Sequence, residues 1–192
     1  MMVPDFLKFI EAMCEKSARL DKYAFIMKRF AVADVSSDEE FKRAFVSFYR
    51  VRCPQWWIDG YFVILQEMRS RKDVSIRVIL ERLCEMSGGR RIDLSFASKM
   101  LHTIQPDMPI WDSVVATNLD LAPIPASGSM PSRIEAAVER YSSLLERMDE
   151  MLRDDSVKAQ VAMFDSTLPN YAWLSSVKKV DFMLWQSRAH SE

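Results

Sequence analysis

SGGRRIDLSFASKMLHTIQPDMPIWDSVVATNLDL, residues 87–121, decides the fold class. Gly88 and Gly89 mark a helix end, because glycine takes φ > 0 and closes the last helix carbonyls. The spacing predicts a new helix from Asp93 to about Ile104. Ala97, Met100, Leu101 and Ile104 share one face, and Ser95, Lys99 and His102 stack at i, i+4 and i+7 on the other. Read from spacing alone, that second stripe is a solvated polar face. Pro106 and Pro109 bracket a short extended link. Asp112 then reads as the cap of a further helix carrying Val114, Val115 and Leu119.

The pattern continues outward in both directions. Upstream, Pro4 and Asp5 open a helix to about Leu20 with Phe6, Phe9, Ile10 and Met13 on its apolar face. A second helix covers Tyr23 to Ala33. Ser37 to Glu40 forms a capping box, with Ser37 as cap and Glu40 as return partner, before Phe41, Phe45, Phe48 and Tyr49 at helical spacing. Cys53-Pro54 separates that helix from one bearing Trp57, Tyr61, Ile64, Leu65 and Met68. The next runs from Asp73 to Met86. Downstream, residues 122–132 (APIPASGSMPS) form the one obvious loop. A long amphipathic helix follows, with Ile134, Val138, Tyr141, Leu145, Met148 and Leu152. Two shorter helices lie near Val157–Phe164 and Ser175–Ser187. The whole chain, 1–192, therefore reads as one all-α, compact multi-helix domain. Residues 122–132 are the place where two helical lobes around a cleft would join.

Composition narrows the class. Four glycines in 192 residues are few for a turn-rich β fold, and 49% hydrophobic with 28% charged residues suits a globular chain. Net charge is −1, from 26 basic and 27 acidic residues, so no global basic excess announces nucleic acid. A local basic patch remains compatible with that balance. Cys14, Cys53 and Cys84 are odd in number, widely spaced and without CxxC, which reads as free, packed thiols of a reducing cytoplasmic interior. With only His102 and His190 as histidines, no zinc-ligand spacing arises, and no metal or cofactor is expected. No apolar run approaches the ~20 residues of a membrane span. The start, MMVPDFLKF, has an early acid and no apolar core of a signal peptide.

Pro109-Ile110-Trp111-Asp112-Ser113-Val114-Val115 resembles the catalytic-aspartate segment of the helix-hairpin-helix DNA glycosylase superfamily. Gly89-Arg90 leading into Leu94-Ser95-Phe96-Ala97-Ser98-Lys99, and the closing run Lys178 to Trp185, resemble a divergent bacterial, 8-oxoguanine-glycosylase-like group. The specific likeness covers about 35 residues. It implies a DNA-glycosylase-like fold with a helix-hairpin-helix element, acting on a damaged base flipped out of duplex DNA. By the same resemblance Asp112 stabilises an oxocarbenium-like sugar. Lys99 is the candidate nucleophile, as in members that also cleave abasic sites. Ser87, Gly88, Gly89, Arg90 and Arg91 would contact DNA phosphate. Two departures stand out. The glycines are adjacent where the family's turn is Gly-x-Gly, and Lys99 sits a turn further into its helix than the family's lysine.

Each residue also has a plainer reading. Asp112 serves as a cap whether or not it lines a cleft. Arg90 and Arg91 suit a helix end as well as a phosphate. Among the tryptophans, Trp57 reads as packing, and Trp111, beside Asp112, is the candidate for stacking on a base. The rival functional class is a non-catalytic helical module that binds nucleic acid or a protein partner.

Overall fold

The computed structural model describes residues 18–186. Most of the helix expected over 4–20 lies outside this range, as do Cys14 and His190. Nine helices and one 3-10 turn, with no strand, make up the described residues. They are α1 (Ala18–Val32), α2 (Glu39–Tyr49), α3 (Gln55–Arg69), α4 (Ile76–Met86) and α5 (Leu94–Ile104). These are followed by α6 (Ser113–Asn118), α7 (Met130–Arg153), α8 (Asp155–Thr167), the 3-10 turn Pro169–Tyr171 and α9 (Ser176–Gln186). None of these helices is long and apolar enough to cross a membrane.

Local chemistry sets most helix ends. Asp38, not Ser37, caps α2: its carboxylate accepts from the Glu40 and Phe41 N–H groups. Ser37 is instead drawn into a turn, its N–H bonded to the Asp34 carbonyl. Asp38 wins because it also pairs with Arg29 on α1, a tertiary partner invisible in the local pattern. Ser75 caps α4 and Ser129 caps α7. Arg69, at the end of α3, donates to the Ala31 and Ala33 carbonyls at 2.7 Å each, so it closes the C-terminus of α1.

The glycine stop forms as its sequence demands. Gly88 N–H donates to Glu85 O and Gly89 N–H to Cys84 O, both at 2.9 Å. This is a Schellman closure of α4, with both glycines at positive φ, +67° and +72°.

Aromatic rings weld the N-terminal helices. Phe41 and Phe45 of α2 meet Phe62 of α3 edge-on at 5.7 and 5.4 Å between centroids. Trp57 of α3 lies 4.6 Å from Phe96 of α5. Consecutive helices α3, α4 and α5 pack together, α7 lies across α4, and α9 packs on α6, α7 and α8. The buried apolar cluster runs through all these elements, from Leu20 to Leu184. Trp111 belongs to it, at 9% exposure.

Gly89 offers a clean test of the helix stop. A Cβ added there meets nothing within 4 Å, so only backbone strain opposes it. Gly89→Ala is expected to lower stability by about 1–2 kcal/mol, the usual left-handed penalty for an L-residue. A thermal melt should fall by a few degrees. An unchanged melt would mean the closure does not form.

Candidate functional site

The extended link between α5 and α6 is held by three side chains from other elements. Ser98 Oγ accepts from Trp111 N–H at 2.9 Å. The Tyr141 hydroxyl of α7 donates to Pro109 O at 2.9 Å. His102 Nδ1 donates to Met108 O at 2.7 Å. A carbonyl can only accept, so Nδ1 carries the proton and Nε2 is left as acceptor. The Tyr23 hydroxyl, 2.7 Å from Nε2, is therefore the donor there. Burial pushes the His102 pKa down to about 3, helped by the positive charge of Lys178, so the ring stays neutral.

This stitching delivers Asp112 to the start of α6, where Oδ1 caps Val114 N–H at 2.9 Å. Asp112 and Lys99 then line one cavity of about 270 Å³. That volume lies just below the usual range of ligand pockets, ~300–1,000 Å³, so it has room for a small group at most. The stripe expected to face solvent is buried: Lys99 is 7% and His102 0% exposed. Side chains from two other helices cover it. Tyr23 of α1 bonds His102 from above, and the ring of Tyr49 on α2 lies 5.8 Å from the Lys99 amine.

The Lys99 amine donates to Ser95 O at 3.1 Å and to Ser95 Oγ at 2.5 Å. Burial is the main force lowering its pKa, to about 8. The nearby carboxylates Asp112 and Asp181 oppose that drop, and Lys178 adds to it. Lys99 therefore gives up its proton more readily than an ordinary lysine, though below about pH 8 it remains mostly protonated.

Sequence reading missed the opposite wall. Lys178 and Asp181 of α9 form a buried ion pair at 2.8 Å, with side chains 3% and 8% exposed. Lys178 also sits over the rings of Tyr23 and Phe182, at 4.8 and 4.4 Å. Burial raises the Asp181 pKa, and Lys178 partly offsets this. Both residues fall in the closing run quoted above, but no local pattern assigns them a role. Phe48, Tyr49, Phe182 and Trp185 supply aromatic wall, and Arg19 stacks on Trp185 at 3.8 Å. Four cations, Arg19, Arg50, Lys99 and Lys178, line the cavity against two carboxylates, Asp112 and Asp181. The lining is thus cationic in a chain whose net charge is −1.

The glycine turn does not line this cavity. Its Gly88 and Gly89 N–H groups are used in closing α4, and Arg91 N–H donates to Ser87 Oγ at 3.3 Å. The Arg91 guanidinium pairs with Asp93 at 2.8 Å, while Arg90 is exposed. Trp111, the expected stacking ring, is buried in the core and lines no part of the cavity; Trp185 occupies that wall instead. Among the described residues, no group of three or more His, Cys, Asp or Glu is placed to hold a metal ion. No family model matches the sequence, and no curated protein or solved structure matches it significantly.

Burying the Lys99 charge has a measurable consequence. The folded pKa, about 8, lies below the ordinary lysine value of 10.5. Between those two values the unfolded chain binds more protons, so stability rises with pH across that window. Below about pH 8 both states are protonated and the penalty is fully present. Lys99→Met is therefore expected to stabilise the fold at pH 7 by on the order of 1–3 kcal/mol. Urea unfolding should show this gap closing between pH 8 and 10.5. A gap independent of pH would contradict the buried amine.

Proposed function

We propose that the chain is a DNA-glycosylase-like protein of the base-excision type, which releases or binds a damaged base flipped from duplex DNA. One observation carries the reading: the Lys99 amine and the Asp112 carboxylate line a single cavity, where burial lowers the pKa of the amine. The aromatic wall of Phe48, Phe182 and Trp185 supports it, since flat rings accept an extruded base by stacking. The resemblance of the Pro109–Val115 run to the helix-hairpin-helix glycosylases supports it too, with α4, the glycine turn and α5 in the place of the hairpin.

On this reading the neutral Lys99 amine attacks C1′ of the flipped nucleotide. The C1′–N bond breaks, its electron pair leaves with the base, and the base takes up a proton. The attacking nitrogen gives up its two protons in turn, matching the one taken by the base and the one taken by O4′ as the sugar ring opens, and an imine remains. Asp112 has Oδ1 committed to its cap, and its negative charge stabilises the cationic sugar during bond breaking. Lys178, held by Asp181, keeps a second positive charge beside the amine and favours its neutral form.

A second reading, a non-catalytic helical module binding nucleic acid or a protein partner, is favoured by one observation. The glycine turn spends its N–H groups on its own helix end and leaves few for a phosphate.

Incubation with duplexes bearing a panel of damaged bases separates the two. Base release is expected from the wild type, with a rate at least ~100-fold lower in Asp112→Asn. Release from neither protein, for any lesion, would leave only the module. Borohydride trapping supplies a separate test of the nucleophile. Covalent DNA should form with the wild type, rise with pH through a midpoint near 8, and vanish in Lys99→Gln. Trapping that survives in Lys99→Gln would assign the attack to another group.

A further inference from the structure

We infer that Arg50, rather than the glycine turn, is the phosphate contact of this cavity. The inference rests on the proposed function for the source of the phosphate, a nucleic-acid backbone, but its first step concerns only anion binding.

Arg50 terminates α2 in the left-handed region, at φ 51° and ψ 46°, with its N–H bonded to Val46 O. Glycine is the residue that suits this position, because any Cβ is strained there. Among the described residues two non-glycine residues take a positive φ, Arg50 and Asp120, and of these Arg50 lines the cavity. Strain of this kind persists where the surroundings and the function demand a side chain. The guanidinium is exposed at the cavity wall and makes no ion pair among the described residues, unlike Arg29, Arg82 and Arg91. It stands at the C-terminal end of α2, where the helix carbonyls favour a cation. Lys178 and Lys99, which line the same cavity, are buried, the first paired with Asp181 and the second bonded to Ser95, so both are less open to a ligand than Arg50.

A planar guanidinium left without a carboxylate, beside this cavity, fits a phosphate oxygen pair. The glycine turn lacks that fit. The N–H groups of Ser87, Gly88, Gly89 and Arg91 are bonded internally, and the Arg91 guanidinium is paired with Asp93. Arg50 shares the cavity lining with the rings of Phe48, Phe182 and Trp185, so one ligand can meet both an aromatic wall and a guanidinium.

Two probes test this on the full chain: inorganic pyrophosphate by calorimetry, and a labelled undamaged duplex by anisotropy across a salt series. Arg50→Gly removes the charge and relieves the left-handed strain, so its melting temperature should rise by a few degrees while binding weakens. Affinity for each probe should fall on the order of tenfold. The slope of log affinity against log salt for the duplex should shrink by about 0.9, the contribution of one phosphate. Arg50→Lys should retain part of the affinity, and Arg90→Ala should bind as the wild type does. If pyrophosphate binding needs Arg50 but the wild type ignores DNA, the anion site stands and the DNA reading fails. If Arg50→Gly binds both probes like the wild type, or the wild type binds neither, the inference is overturned. Loss of duplex binding in Arg90→Ala, with Arg50→Gly intact, would return the phosphate contact to the glycine turn and also overturn it.

Discussion

Everything about the candidate site depends on how the Gln105–Asp112 link is tied down. The link has two prolines and little regular backbone structure of its own. Its position comes from Ser98, His102 and Tyr141, each bonded to a different backbone group of residues 108–111. Two of these side chains stand on α5, the helix that carries Lys99. The carboxylate and the amine are therefore positioned by the same rigid element, one directly and one through the link. The catalytic role proposed for the two groups would need that kind of support, because small misplacements are costly in rate.

The buried polar stripe of α5 is arranged so that each group has a use or a partner. His102 is neutral, with both ring nitrogens bonded. Thr103 returns its hydroxyl to the Lys99 carbonyl at 2.7 Å. Lys99 keeps a charge at some energetic expense, with Ser95 as its near partner. Replacing a buried charge by an apolar group often stabilises a fold, so Lys99 is a cost to stability rather than a packing gain. Lys178 and Asp181 make the contrast clear. They neutralise one another at 2.8 Å and act as a fixed polar wall.

Legibility followed the range of the interactions involved. Asp112 as a cap and Gly88-Gly89 as a stop were readable because their partners lie within five residues. Ser37 misled because the competing cap, Asp38, is selected partly by Arg29 from another helix. The α5 stripe misled for the same reason. Its polar residues look solvated until Tyr23 and Tyr49 are placed over them. Trp111 was singled out because it neighbours Asp112, yet adjacent residues on an extended link point to opposite sides, and its ring enters the core.

The sequence by itself determined an all-helical chain, most of its helix limits, and two residues that line the cavity, Lys99 and Asp112. Periodicity, caps and glycine stops are local, and local energies act wherever the chain goes. Only the tertiary structure decided which helix faces are covered. It brought α9 against α6, so that Lys178, Asp181 and Trp185 joined residues more than sixty positions earlier. It also lowered the Lys99 pKa, because desolvation depends on what surrounds an amine in space and not on its neighbours along the chain.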